Sequence, residues 1–172
     1  MISVRDIKKY YGSHKVLNGV SLRIEQKKIT YIFGTSGGGK STLLKILIGA
    51  LRPDSGEVRF GDTVLTTLAD RELDPFRKRI GMLFQHGALL NSMTVGENIA
   101  LPIREHTTLD DTIIKIMVKM KLDLVGLRDF EDLFPGQISG GMQKRVALAR
   151  ALALDPEVVF FEIGRASCKE RV

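Results

Sequence analysis

Gly34-Thr35-Ser36-Gly37-Gly38-Gly39-Lys40-Ser41-Thr42 fits the spacing G-x-x-x-x-G-K-[ST]. Three consecutive glycines let backbone amides converge on a phosphate, because positive φ and the missing Cβ permit the close approach. A helix starting at such a loop adds about half a unit of positive charge at its N-terminus. Lys40 supplies a mobile full charge for the β/γ-phosphates, and Ser41 a hydroxyl for Mg²⁺. Before this loop, Ile29-Thr30-Tyr31-Ile32-Phe33 is a nearly continuous apolar run, which predicts a buried central strand. After it, Lys40 to Leu51 carries Leu43, Leu44, Ile46, Leu47 and Leu51, an amphipathic helix ending near Arg52-Pro53. A second stretch, Ile138-Ser139-Gly140-Gly141-Met142-Gln143-Lys144-Arg145, places a hydroxyl and free amides at the start of a basic helix, a ready anion site.

Outward from these two stretches, Ile2 to Ile7 and Val16 to Ile24 alternate apolar with polar residues, as strands of a half-buried antiparallel sheet do. Pro53-Asp54-Ser55-Gly56 reads as a turn, Glu57 to Phe60 as a strand, and Gly61-Asp62 as the next turn. Arg79 to Phe84 is a further apolar strand ending at Gln85. Beyond it the pattern becomes helical. Val95 to Ile103 and Leu109 to Leu122 have helical apolar spacing, with Ile113, Ile114, Ile116, Met117 and Met120 on one side, read as core packing. Thr108-Leu109-Asp110-Asp111 offers an N-cap and first-turn acids. Ser139 to Leu154 is the last helix, stopped by Asp155-Pro156 before the strand Val158-Val159-Phe160-Phe161.

The P-loop, a Ser-Gly-Gly helix start and a strand-ending glutamine between them resemble the ATP-binding subunit of ABC transporters, over residues 1 to 161. The resemblance implies an α/β P-loop NTPase core with an N-terminal antiparallel β element and an inserted α-helical subdomain. Its divisions would be 1–85 for the ATP-binding core, 86–150 for the helical subdomain with the signature, and 151–161 for the Walker B strand. ATP and Mg²⁺ are the implied ligands. Gly34 to Thr42 would hold the phosphates, Lys40 would act in catalysis, and Ser41 and Gln85 would reach Mg²⁺. Tyr11, or Tyr10 beside it, matches the family's aromatic that stacks on adenine. Gln85 resembles the Q-loop glutamine, whose amide reaches the metal and the attacking water. Ser139, Gly140 and Gly141 resemble the signature, which faces the γ-phosphate bound by a second subunit in a head-to-tail homodimer. Met142, where Gln is usual, is shared with the lipid-transport (Mla/Mce) branch. His86-Gly87-Ala88-Leu89-Leu90, Leu101-Pro102-Ile103-Arg104-Glu105-His106-Thr107 and Gly126-Leu127-Arg128 are similar to that branch too.

The implied activity is ATP hydrolysis powering a membrane permease, here for a phospholipid or other hydrophobic substrate. Another solute, or a soluble non-transport ATPase, are the competing readings. At 172 residues, 44% hydrophobic and 27% charged, the composition is that of one ordinary globular domain. No apolar run approaches the ~18 residues of a membrane span, so a cytoplasmic protein that meets the membrane through its permease is expected. The net charge of +6 is spread along the chain, without the clustered basic and aromatic residues of a nucleic-acid surface. His14, His86 and His106 have no partners at metal-ligand spacing.

The segment Glu162 to Val172 breaks the pattern. In the family the Walker B strand is followed by Asp-Glu, whereas here a polar, patternless tail begins. Apart from Lys169, where Arg would stand, the tail reads as the translation of a sequencing adapter, GAG ATC GGA AGA GC giving Glu-Ile-Gly-Arg-Ala. A non-native tail replacing the Walker B carboxylates, the D-loop and the switch histidine is therefore expected. The only cysteine, Cys168, lies within it.

Overall fold

The computed structural model describes residues 1–85 and 87–163. The chain divides into two compact units, Met1–Arg77 and the residues from Lys78 on.

The first unit is built on an antiparallel sheet of order β2-β1-β3-β4. β1 (Ile2–Tyr11) and β2 (His14–Ile24) form a hairpin, β3 (Ser55–Phe60) pairs with the other side of β1, and β4 (Thr63–Val64) completes the edge. The alternation read in the sequence is the burial pattern observed: Ile2, Val4, Ile7, Leu17, Ile24, Val58 and Phe60 are buried. The β1–β2 register shifts between Val4 and Ile7, where Asp6 takes a left-handed φ of 46° and its N–H donates to Ser21 Oγ at 2.9 Å. Gly56 lies against this bulge at φ 91°, and a Cβ there would come within 2.4 Å of the Asp6 carbonyl oxygen. Only glycine lets β3 pass so close.

α1 (Lys40–Leu47) buries Leu43, Ile46 and Leu47, and it is shorter than the Lys40–Leu51 helix expected from spacing. Gly49 at φ 70° ends it earlier: its N–H donates to the Ile46 carbonyl, and the Ala50 N–H to the Lys45 carbonyl at 2.8 Å. This is a Schellman closure, which satisfies the last carbonyls without another turn. α2 (Asp70–Arg77) follows, its Arg77 donating to Asp70, Asp74 and the Gly49 carbonyl.

One expectation fails in this unit. Ile29 to Phe33 is not a strand, and it is not buried: Ile29 is 80% and Phe33 82% exposed. The segment has the composition of a central strand. A strand, however, exists only through hydrogen bonds to a neighbour, and among the described residues none pairs with it.

The second unit holds a parallel pair, β5 (Ile80–Leu83) and β6 (Val158–Phe161), in register Ile80 with Val158 through Leu83 with Phe161. Its core is helical. α3 (Val95–His106), α4 (Asp111–Leu124) and α5 (Gly140–Ala151) bury Val95, Ile99, Ile103, Ile114, Val118, Leu122 and Val146 together with Leu127. Each such side chain contributes roughly 1.5–3 kcal/mol by leaving water. Thr94 and Glu97 form a capping box at α3, and Asp110 caps α4 by accepting the Thr112 N–H at 2.8 Å. The apolar cluster expected on one side of α4 is split. Ile114 is buried and Met117 packs on the core, whereas Ile113, Ile116 and Met120 are exposed. The buried stripe runs instead through Ile114, Val118 and Leu122, spaced by one helical turn. Among the described residues no helix is long and apolar enough to cross a membrane.

Candidate functional site

The P-loop lies between the unpaired 29–33 segment and α1. Gly37 and Gly39 both sit at φ 77°, the left-handed region, and Gly39 is the residue from which α1 departs. A Cβ on Gly39 would fall 2.8 Å from both the Val16 carbonyl and a Leu17 methyl, so the loop is seated against β2 by the absence of a side chain. A Cβ on Gly38 would crowd the Thr35 carbonyl at 3.1 Å, the same carbonyl that accepts the Gly38 N–H at 3.2 Å. Among the described residues no side chain caps α1 and no acid occupies its first turn, so the partial positive charge of the helix start is not offset there. The Lys40 ammonium donates to the carbonyls of Gly34 at 2.8 Å and Thr35 at 2.6 Å, curling over the loop. Gly34, Thr35, Ser36, Gly37, Gly38, Gly39, Lys40, Ser41 and Thr42 thus form one continuous cradle at a helix start.

Tyr11 belongs to the same unit. It is the last residue of β1, paired with His14 across the hairpin, and its side chain is half exposed. Gly39 touches Val16 and Leu17 of β2. At a strand rise of about 3.4 Å and a strand spacing of about 4.8 Å, Tyr11 stands roughly 10 Å from that contact. That separation suits a ligand with phosphates at one end and a flat ring at the other. Tyr10, the alternative, gives its N–H to Asp54 Oδ2 at 2.6 Å. The Lys9 ammonium lies 5.9 Å from the Tyr11 ring centroid and 3.0 Å from Asp54 Oδ1. The Asp54 carboxyl is held below its ordinary range, first by the Tyr10 N–H and then by Lys9.

Gln85 and Ser139–Gly141 lie in the second unit. Gln85 is exposed at the end of β5, in a turn closed by the Gly87 N–H on the Phe84 carbonyl at 2.9 Å. Gly87 and Ala88 take left-handed φ values of 75° and 50°. The Arg150 guanidinium spans them, donating to the Gly87 carbonyl at 2.6 Å and the Ala88 carbonyl at 2.7 Å. Burial pushes the Arg150 pKa down, yet guanidinium remains charged at any physiological pH. Ser139 is the N-cap of α5, its Oγ accepting the Met142 N–H at 3.3 Å, and Gly140 and Gly141, both exposed, open the helix. Gln143 holds this turn by donating to the Pro135 carbonyl at 2.8 Å. His14 and His106 are exposed at element ends, and among the described residues no group of metal-ligating side chains forms. His86 and Cys168 lie outside the described residues.

Three residues that organise these loops were not singled out from sequence. Asp54 anchors the end of β1, Arg150 spans the loop after Gln85, and Asn98 is fully buried on α3 with its Nδ2 on the Leu90, Met93 and Thr94 carbonyls. Asn98 had a visible signal: it interrupts the apolar face of Val95, Ile99 and Ile103.

The ABC transporter family model matches residues 17–162. The "Intermembrane phospholipid transport system ATP-binding protein MlaF" of Haemophilus influenzae is 45% identical over 94% of this chain, and its namesake in Escherichia coli K12 is 42% identical. The "Probable ribonucleotide transport ATP-binding protein mkl" of Mycobacterium leprae is 44% identical over 92% of the chain. The chain spans 61% of the length of the Haemophilus relative and 46% of the mycobacterial one. Among solved structures, the dimeric bacterial ABC transporter cassette MJ0796 matches with a TM-score of 0.86 and 33% identity, over 94% of this chain and 73% of that one. The same cassette in a dimeric, post-hydrolysis state bound to ADP and Pi matches with a TM-score of 0.85. With its glycine cradle, its strand-ending glutamine and its Ser-Gly-Gly helix start, this chain belongs to the ABC transporter family.

Proposed function

We propose that the chain is the nucleotide-binding part of an ABC transporter ATPase that moves a phospholipid or related hydrophobic substrate. The observation that carries nucleotide binding is the uncapped start of α1, seated on β2 through Gly39, with Lys40 curled over it. Phosphates would take the Gly37–Ser41 amides and draw the Lys40 ammonium from the loop carbonyls, exchanging neutral acceptors for charged ones. Tyr11 would stack on the base, a contact that tolerates any purine or pyrimidine face. The neutral hydroxyl of Ser41 suits Mg²⁺, which prefers a few protein oxygens beside those of a phosphate chain. When bound, the ion neutralises charge that builds on the transferred phosphoryl group.

Gln85 is proposed as the amide that responds to nucleotide, and Ser139–Gly141 as the group that meets a nucleotide held by a second copy. The dimeric assemblies of the MJ0796 cassette support a paired arrangement. A membrane permease would anchor the subunit peripherally at the inner membrane. The lipid reading rests on the names of the MlaF relatives; the mkl relatives, named for ribonucleotides, support a polar solute as the second reading. After β6, Glu162 and Ile163 stand where the family pattern has Asp-Glu, and Ile163 is two-thirds exposed with no carboxylate to polarise water. The 172-residue chain is therefore expected to bind ATP without turning it over.

Lys40→Ala tests the cradle. The substitution removes charge only near the phosphates, so calorimetry should show ATP affinity falling at least tenfold, about 1.4 kcal/mol, with adenosine binding unchanged. Equal losses for both ligands would remove Lys40 from the proposed role.

A further inference from the structure

The backbone pairing that supports β1 on its β3 side ends before Tyr11. The β1–β3 register runs from Ile2 with Phe60 to Arg5 with Glu57, shifts, and closes at Lys8 with Ser55. Tyr10 and Tyr11 extend past it, and on the other side the β1–β2 register shifts again between Lys9 and Tyr10. A strand tip paired on one side, next to a register irregularity and a Gly12 turn, is prone to fray. Asp54 stands where β3 has not yet begun and continues its ladder with a side chain. Its own N–H donates to the Lys8 carbonyl at 2.9 Å, its Oδ2 accepts the Tyr10 N–H at 2.6 Å, and its Oδ1 accepts the Lys9 ammonium at 3.0 Å. Lys9 is largely buried along its stem and is the cation that faces the Tyr11 ring, 5.9 Å from its centroid.

We propose that Asp54 is a positioning residue for nucleotide binding, clamping residues 8 to 10 of β1 and setting Lys9 beside the ring so that Tyr11 is presented as a fixed platform for the base. The inference rests on the reading of Tyr11 as the base-stacking residue. A carboxylate suits the task better than a backbone carbonyl, because one rigid group accepts from both an amide and an ammonium. A ring held in advance loses less freedom when the base arrives, so the clamp acts on affinity for nucleosides and not on affinity for phosphates.

The chain contains no tryptophan, so Tyr11→Trp gives a single emitting indole at the site. In that background Asp54→Ala should lower the indole's fluorescence anisotropy before any nucleotide is added. It should weaken MgATP binding about tenfold and leave affinity for inorganic tripolyphosphate within about twofold. With Tyr11→Ala in place, Asp54→Ala should cost no further ATP affinity. Asp54→Asn retains an acceptor for the Tyr10 N–H but loses the Lys9 ion pair, so it should weaken MgATP binding less than Asp54→Ala does, about threefold, with tripolyphosphate within about twofold, which also covers the case of an Asp54→Ala chain that does not fold. Equal losses for ATP and tripolyphosphate, in Asp54→Ala or in Asp54→Asn, would make Asp54 an ordinary structural residue and overturn the proposal, as would unchanged anisotropy. If Tyr11→Ala alone leaves ATP affinity untouched, the base-stacking reading fails first, and the clamp with it.

Discussion

Asn98 shows how much a single buried polar residue decides. It is wholly inaccessible, yet every polar atom of its amide is used: Oδ1 accepts the Leu90 N–H at 2.8 Å, and Nδ2 serves three carbonyls. The side chain thus shapes residues 90–94, the approach to the α3 capping box. Asn98→Leu adds apolar volume to the core but removes the partner described for the Leu90 N–H and for the Met93 carbonyl, while the Leu90 and Thr94 carbonyls keep backbone donors. Each buried group left unsatisfied costs about 1–3 kcal/mol, so the variant should lose about 3 kcal/mol or more in urea unfolding. Ile103→Val, which only trims a methyl from the same helix face, should lose about 1 kcal/mol. An Asn98→Leu chain no less stable than Ile103→Val would show that the network has no net worth. The residue types behind the P-loop were equally direct. Gly37 and Gly39 had to tolerate left-handed backbone for the spacing to mean anything, and both do. Asp54 and Arg150 were not legible, because their importance lies in which carbonyls and amides the fold brings to them, and sequence distance hides that.

Among the elements, α5 ties the signature to the loop behind Gln85. Its first turn carries Ser139, Gly140 and Gly141, and near its last turn Arg150 grips the Gly87 and Ala88 carbonyls. A Cβ on Gly81 of β5 would meet the Ala151 carbonyl at 2.4 Å, so strand and helix end are locked in close approach. A displacement of Ser139–Gly141, the proposed signature, would therefore reach the turn after Gln85 through the length of α5. Ser139→Arg exploits the exposure of this helix start. It should leave the ATP affinity of one copy within about twofold while abolishing nucleotide-driven pairing, if the bulky cation blocks the amides proposed to meet a nucleotide on a second copy. Sedimentation that shows the same ATP-dependent dimer in Ser139→Arg would exclude the signature from the interface. The elements themselves are legible where periodicity is strong, as in β1, β2, α3 and α4. Two expectations fail for different reasons. Helical spacing in Lys40–Leu51 ran past Gly49, whose closure hydrogen bonds ended α1 sooner, and the face of α4 was set by which turns met the core.

On the scale of the whole molecule, the deciding segment is the one whose composition and structure disagree. Ile29, Tyr31 and Phe33 alternate along this segment, and the Tyr31 and Phe33 rings stack with centroids 5.8 Å apart. They are 80%, 67% and 82% exposed, and Ile32 between them is 42% exposed. Pattern alone marks this run as a buried strand, because local sequence records which surface is apolar but not whether a neighbour is there to cover it. An exposed apolar segment that pairs with no strand among the described residues is a template for pairing with another chain, and its surface gains free energy by leaving water. The 172-residue chain should therefore associate with rising concentration and bind a hydrophobic dye such as ANS. Ile29→Thr, Tyr31→Lys and Phe33→Thr together replace the exposed alternating positions and leave Ile32 in place. Because these side chains are already in water, the triple variant should unfold at a urea midpoint near that of the parent. Its association and its dye binding should both fall severalfold, with the cradle's affinity for tripolyphosphate preserved, since none of the three residues contributes to the Gly37–Ser41 amides. Association that persists unchanged in the triple variant would move the sticky surface elsewhere, to the exposed side of α4 formed by Ile113, Ile116 and Met120.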